Sequence, residues 1–194
     1  MYTLNQADAG MRVTDTDSRL PVVNVPATGS IVMKTEQFGP LYQTVLYLTD
    51  VPQAVVNGTE HQSTLLMTFP EGRLHVLGVT ATLQQKTTSA LASTLNASVT
   101  GAVALGTVTT SSTTLSGTMV DLLPSTAFTS SATINVGGTA VSAALAAGAA
   151  FDGTSSAKVM RLNSAYATTT DVDGDATQTW SGTITCTWFW LGDY

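Results

Sequence analysis

The chain has 194 residues, of which 43% are hydrophobic and only 10% are charged. This length suits one domain with one core, and the hydrophobic fraction is high enough to exclude a disordered chain. The formal net charge is -6, with seven lysine and arginine residues in all. Because binding to a polyphosphate backbone needs clustered cations, the composition excludes a typical nucleic-acid-binding protein.

The N-terminal residues include neither the basic segment nor the apolar stretch of a secretory signal, so we expect synthesis in a cytoplasm. No apolar run is long enough to suggest a membrane span, and we expect no membrane partner. The single cysteine, Cys186, excludes an intrachain disulfide. The sequence therefore predicts a protein that is stable without disulfide bonds.

Residues 1–44 are predicted to form an extended N-terminal arm. Pro21, Pro26 and Pro40 interrupt this region, and the short apolar runs at 22–25 and 31–33 suit edge strands or extended segments. We expect the arm to contact a neighbouring subunit or another partner. The interface residues predicted in the arm are Val22, Val25, Ile31 and Met33.

Residues 45–194 are predicted to form a single all-β domain, a jelly roll or other β-sandwich, because short strand-like runs recur between turn signals such as Asn57-Gly58 and Asp173-Gly174. Segments 89–98 and 139–150 could each contain a helical turn, and their assignment stays open. The predicted strands cover residues 45–48, 65–69, 74–83, 99–108, 115–122, 129–136, 158–165 and 180–191.

The last predicted strand has the clearest pattern in the sequence. From Trp180 to Trp188, large apolar residues alternate with threonine and serine, so one face of the strand is predicted to be core and the other polar. Near the C-terminus the strand becomes apolar on both sides, which requires a second cover such as the arm or another subunit. The interface residues predicted here are Trp188, Phe189, Trp190 and Leu191.

The acidic segment Asp171-Val172-Asp173-Gly174-Asp175 is similar to a calcium loop at first sight. An EF-hand loop needs glycine at its sixth position and a bidentate glutamate at its twelfth, and this segment has neither. We interpret it as a hairpin turn at Asp173-Gly174 that joins two strands, with an adventitious cation site as the alternative.

The remaining reactive side chains form no recognisable catalytic or metal-binding pattern. His61 follows Glu60 and His75 lies four residues after Glu71, but neither pair has metal-site spacing, so both histidines are predicted to be solvated. Cys186 lies on the apolar face of its strand and is predicted to be buried and inert. We therefore expect no catalytic residues, no bound metal and no cofactor, and we do not expect an enzyme.

Three stretches of the chain resemble the jelly-roll cement proteins of tailed bacteriophages, which decorate and stabilise capsids. In the first, a proline-glycine turn leads into a long strand; the second is a glycine-interrupted strand followed by a second apolar run; the third contains two Asp-Gly turns and the threonine-rich final strand. These stretches are residues 69–83, 105–126 and 152–188. Together they span roughly residues 45–194, and the first 44 residues lie outside the resemblance.

The resemblance implies an eight-stranded jelly roll, a homotrimer on the capsid surface of the virion, the major capsid protein as partner, and no catalysis. Two other classes stay open: another virion component such as a tail or head fibre, and a carbohydrate-binding β-sandwich. The second would present exposed aromatic residues at a loop tip or in a groove, whereas the tryptophans here have core spacing. An enzyme on a jelly-roll scaffold would need His61 and His75 to face inward.

Overall fold

The computed structural model describes residues 4–6, 20–88, 91, 94, 99–130, 141–144, 149–168 and 170–192. Most of these residues lie in β-strands, which form two antiparallel sheets packed against each other. The prediction of an all-β sandwich is confirmed.

The larger sheet, sheet A, contains seven strands. Their order is β1 (Leu4–Gln6), β3 (Ser30–Phe38), β4 (Leu41–Val55), β12 (Ala176–Gly192), β6 (Gly72–Thr87) and β10 (Ala149–Gly153), and β9 (Val141–Ala144) also pairs with β6. Sheet B has the order β2 (Val22–Val23), β5 (His61–Thr68), β11 (Val159–Tyr166), β7 (Val99–Gly106) and β8 (Leu123–Ser130).

The connections between the sheets follow jelly-roll topology. Four neighbouring strands of sheet A have the order β4-β12-β6-β10, and four of sheet B have the order β5-β11-β7-β8. The chain crosses from β4 to β5, returns to β6 and crosses again to β7. At the end, β11 and β12 insert between these earlier pairs, one strand in each sheet. Two interlocked Greek keys of this kind make a jelly roll.

Strand β12 occupies the centre of sheet A, and its two faces are core and polar as its alternating pattern predicts. Trp180, Ile184 and Trp188 are completely buried, and the intervening threonines point outward. The strand has an irregularity where Gly182 takes a φ of 143°. A Cβ atom at this glycine would lie 2.1 Å from the carbonyl oxygen of Thr82, so only glycine fits there.

Two aromatic clusters fill the space between the sheets. The ring of Trp188 stacks on Tyr42 with 4.5 Å between centroids and meets the edge of Phe69 at 5.6 Å. Phe128 packs edge-on against Trp180 at 5.1 Å. The rings span both sheets, so their contacts hold the sandwich together as well as excluding water.

A buried polar network joins the two sheets beside the second cluster. The Oε1 atom of Gln53 accepts hydrogen bonds from Ser164 Oγ (2.7 Å), Gln178 Nε2 (2.9 Å) and Trp180 Nε1 (2.8 Å). Its Nε2 atom donates to the carbonyl of Leu162 at 3.0 Å. Because Gln53 lies in β4 and Ser164 in β11, this glutamine couples sheet A to sheet B.

The boundary predicted at residue 44 is wrong, because it falls inside β4. Strand β3 precedes it and pairs with β4 over its full length, from Ser30 with Thr49 to Phe38 with Leu41. Pro40 lies in the tight turn between these strands and does not interrupt either of them. Residues 30–44 therefore belong to the domain and not to an arm.

The strand predicted at residues 115–122 is also wrong. This segment belongs to a loop, residues 107–122, with a short 3-10 turn at Gly117–Met119. Leu115 and Leu122 are nevertheless buried. The apolar residues of this segment are buried because the loop packs on a sheet. Alternation of apolar and polar residues does not distinguish such a loop from a strand.

The hairpin predicted at Asp173-Gly174 is wrong as well. Strand β11 ends at Tyr166 in sheet B, and β12 begins at Ala176 in sheet A. The chain therefore crosses between the sheets here, and we call residues 167–168 and 170–175 the crossover loop. Two segments had no assignment from the sequence. Segment 89–98 is helical at Leu91 and Thr94, and segment 139–150 contains β9 and the start of β10; their other residues lie outside the described part of the chain. Residues 131–136 of the strand predicted at 129–136 also lie outside it.

Candidate binding face

Among the described residues, the outward-pointing side chains of sheet A within 32–38, 41–47, 75–82 and 183–189 are half-buried or exposed, and we call this surface the open face. Its central strip is the polar side of β12. Thr183, Thr185 and Thr187 lie on this strip and are half-buried between the neighbouring strands. They present methyl and hydroxyl groups on a flat surface.

Apolar side chains flank the threonine strip. On β4, Tyr47 pairs with Thr183 and Val45 pairs with Thr185. On the other side of the strip, Leu77 of β6 lies at a register irregularity. The exposed fraction of Leu77 is 43%, and that of Tyr47 is 47%. The open face is therefore apolar and hydroxyl-bearing across its width.

One end of the open face has a row of larger apolar groups. The register places Phe38, Leu41, Phe189 and His75 side by side on four neighbouring strands. Phe38 is 49% exposed. A row with one exposed and three half-buried large side chains, beside the threonine strip, is typical of an interaction surface.

The open face carries little charge although the whole chain has a net charge of -6. Lys34 and Glu36 both point outward from β3 and neutralise each other, with 2.7 Å between Nζ and Oε1. At the far edge, Arg73 of β6 is the cross-strand partner of Asp152 of β10. Contacts on this face would therefore be governed by apolar burial and hydrogen bonding, with little contribution from long-range attraction.

Sheet B differs because its own chain covers its outward side. Asn163 donates hydrogen bonds from Nδ2 to the carbonyls of Val108 (3.0 Å) and Met119 (2.8 Å), which fastens the 107–122 loop over the sheet. Asp121 closes the base of the loop by accepting hydrogen bonds from the amide (2.8 Å) and hydroxyl (2.6 Å) of Thr107. The loop thus covers the middle of sheet B, over β7 and β11, and leaves part of the outward side of β8 exposed.

The interface residues predicted from the sequence divide into two groups. Ile31, Met33 and Trp188 are 7%, 8% and 0% exposed and belong to this chain's own core, so the interface prediction is wrong for these three. Alternation along β3 and β12 turns these positions inward.

The other predicted interface residues remain at the surface. Val22 and Val25 are 67% and 75% exposed, on a segment held to the edge of sheet B by a 2.8 Å hydrogen bond from the amide of Asn24 to the carbonyl of Leu66. Phe189 lies on the open face. Leu191 is 52% exposed, and Trp190 is half-buried and donates from Nε1 to the carbonyl of Glu71 at 2.8 Å.

Sequence reasoning missed the contribution of β4 to the open face. Three of the four residues on this side, Leu41, Val45 and Tyr47, are apolar and the fourth is Gln43, yet the opposite side of β4 is the buried one. The signal that could have predicted this face is a strand with apolar residues on both of its sides. The sequence interpretation used that signal only for the end of β12.

The candidates for chemistry lie apart from one another. His61 is in β5 of sheet B, whereas His75 is on the open face of sheet A. Cys186 is buried, and burial raises the pKa of its thiol far above the ordinary range, so the reactive thiolate does not form. Among the described residues, no group of three histidine, cysteine or acidic side chains is placed to hold a metal ion.

Comparisons with protein-family models, curated proteins and solved structures found no match to this chain. Within the part of the chain that the structure describes, no helix is long and apolar enough to span a membrane.

Proposed function

We propose that this protein is a structural, non-enzymatic decoration protein that binds the assembled capsid of a tailed bacteriophage and stabilises contacts between capsomers. The observation that carries the proposal is the contrast between the two sheets: the 107–122 loop covers the middle of sheet B, while the described part of sheet A leaves a nearly uncharged face open. The resemblance to cement proteins and the jelly-roll topology support the same assignment, although a fold alone does not establish a function.

The occupant proposed for the open face is the outer surface of the major capsid protein. Four strands spaced about 4.8 Å apart, each contributing a length of about seven residues, give a face of about 19 Å by 24 Å, or about 460 Å². Stable interfaces bury about 800 Å² on each partner, so one such face would bind weakly alone. A homotrimer, as the resemblance implies, would engage three sites at once and gain avidity through effective concentration.

Particles that lack the protein give the direct test. Purified protein is added to them, the particles are sedimented, and the bound copies are counted against the major capsid protein. We expect saturable binding at a fixed ratio. Binding that does not saturate, or that does not exceed binding to an unrelated particle, would overturn the proposed function.

A matched pair of substitutions tests the role of the open face. Thr185→Arg places an unpaired charge at the centre of the face, where its burial on binding should weaken attachment by ~10-fold or more. Thr109→Arg makes the same change at an exposed position of the 107–122 loop and should bind as the wild type does. Equal weakening by both substitutions would contradict the role of the open face.

The oligomeric state is measured separately by light scattering on the free protein. A trimer whose mass is unchanged by Thr185→Arg is expected. A trimer that dissociates on this substitution would mean that the open face joins copies of the chain and does not bind the capsid.

A further inference from the structure

Glu60 is an unusual residue because its carboxylate is buried without a hydrogen-bond partner. It ends the turn between β4 and β5 in a left-handed backbone conformation, with φ of 50°. The side chain is fully buried, and within the described part of the molecule neither Oε1 nor Oε2 has a partner in hydrogen-bond geometry. Burying an ionised carboxylate in this way is unfavourable unless a charge or several donors compensate for the lost water.

The crossover loop covers this carboxylate with its residues Asp171 and Val172. The backbone amides of Asp171 and Val172 lie close enough to stabilise the charged form in part. Val172 is 1% exposed and anchors the loop in the core. The loop is also tied internally, because Asp171 accepts hydrogen bonds from the amide and the hydroxyl of Thr168, each at 3.0 Å.

The ionisable groups around Glu60 do not neutralise it. Asp171, on the loop, adds a like charge. Tyr166, at the end of β11, has its pKa raised to about 12, mainly by burial, and stays neutral. At the other end of the same turn, Asp175 accepts a 3.0 Å hydrogen bond from the amide of Asn57.

These surroundings favour a proton on Glu60. The ion pairs of the described residues join Lys34 to Glu36 and Lys86 to Asp50, and neither involves Glu60. Burial is the main cause that raises the pKa of Glu60 above its ordinary value; the charge of Asp171 acts in the same direction and the two loop amides oppose it.

We propose that Glu60 and the crossover loop form a pH-sensitive latch, in which the loop packs closed over the protonated carboxyl group and opens when that group ionises. The closed state binds the proton more tightly than an open state in which water reaches the carboxylate. Linkage then requires that a fall in pH closes the loop and a rise in pH opens it. Opening would expose Val172 and one end of the core between the sheets.

Amide hydrogen exchange of the full-length protein, followed by NMR from about pH 4 to about pH 8, tests the latch. After correction for the intrinsic rate, the protection of Val172 and Asp173 should fall by ~10-fold or more as the pH rises, whereas that of Ile184 in β12 should not change. Protection of the loop that is constant, or that rises with pH, would overturn the proposal.

Three variants separate the titration of Glu60 from other causes. Glu60→Gln and Glu60→Met remove the ionisable group, and loop protection in either folded variant should lose its pH dependence. Asp171→Asn removes the like charge and keeps one of the two oxygens that accept hydrogen bonds from Thr168, so the loss of loop protection between low and high pH should be smaller than in the wild type. A pH dependence that survives in both Glu60 variants would assign the change to another group and refute the latch.

The direction of the Asp171→Asn effect follows from ionisation of Glu60. The charge on Asp171 disfavours ionised Glu60 most strongly in the closed state, so its removal makes the closed and open states more alike in their affinity for the proton and weakens the opening of the loop. A loss of loop protection in this variant that is larger than in the wild type would contradict the proposed mechanism.

Discussion

Replacing Gln53 by leucine should severely destabilise the domain, because this one side chain serves as the acceptor at the centre of the inter-sheet network. The substitution keeps the approximate volume of the side chain and removes the Oε1 atom to which Ser164, Gln178 and Trp180 donate. These donors lie in the buried interior, where no water replaces the lost acceptor.

The magnitude depends on which donors keep a partner. Gln178 Nε2 still donates to Ser164 Oγ at 2.9 Å, whereas the Trp180 Nε1–H and the Ser164 hydroxyl proton lose the acceptor described for them. A buried donor left unsatisfied costs about 1–3 kcal/mol, so two give about 2–6 kcal/mol. This loss is a large part of the total stability of a typical domain, about 5–15 kcal/mol.

Urea unfolding measures this loss, with two variants for comparison. Trp180→Phe removes one donor and leaves the Gln53 acceptor occupied by two others, so its hydrogen-bond cost should be smaller, about 1 kcal/mol, in addition to the cost of lost packing. Gln43→Leu, on the open face, should change the free energy of unfolding by less than about 0.5 kcal/mol. A Gln53→Leu cost below about 1 kcal/mol would refute the reasoning.

Other predictions concern stability and reactivity. Gly182→Ala should cost about 2 kcal/mol or more in urea unfolding, because a Cβ would lie 2.1 Å from a carbonyl oxygen of β6. Thr44→Val should cost about 1–3 kcal/mol in the same assay, because the Nε1–H of Trp188 loses the acceptor that it has at 3.1 Å. Cys186 should react with a thiol reagent only at the rate of unfolding, and rapid labelling of the folded protein would contradict its burial. Because the pKa of Glu60 is raised in the folded protein, the contribution of this residue to the free energy of unfolding is greatest below the ordinary titration range of glutamate. That contribution is lost as the pH rises through the raised value. Urea unfolding at several pH values should show this loss in the wild type and not in Glu60→Gln.

The sequence predicted the fold class and the central strand because both depend on period-two alternation. From Trp180 to Trp188 the large apolar side chains are buried at every second position, as expected for a strand with one core face. The arm was mispredicted because proline was taken as a sign of irregular structure. Pro40 occupies a turn, and Pro52 lies in β4 beyond the last residue that pairs with β3, so its missing N–H disrupts no pairing there.

Pairing between distant segments could not be predicted from local patterns. The Asp173-Gly174 dipeptide signals a turn, but it does not reveal that the strands on either side belong to different sheets. The burial of Glu60 has no local signal in the sequence, because only the tertiary fold places this residue beneath the crossover loop. The open face depends in the same way on the loop that covers sheet B and on the absence of a cover over the described part of sheet A.

Release of the genome on heating tests most directly whether this protein stabilises a capsid. A ligand present at about 100 times its dissociation constant contributes about 2.7 kcal/mol per site to the form that binds it, and a shell offers many sites. Particles that lack the protein should therefore release DNA at a lower temperature than complete particles. Added wild-type and Thr109→Arg protein should restore the higher temperature, and Thr185→Arg protein should not. Equal release temperatures for particles with and without the protein would contradict the account.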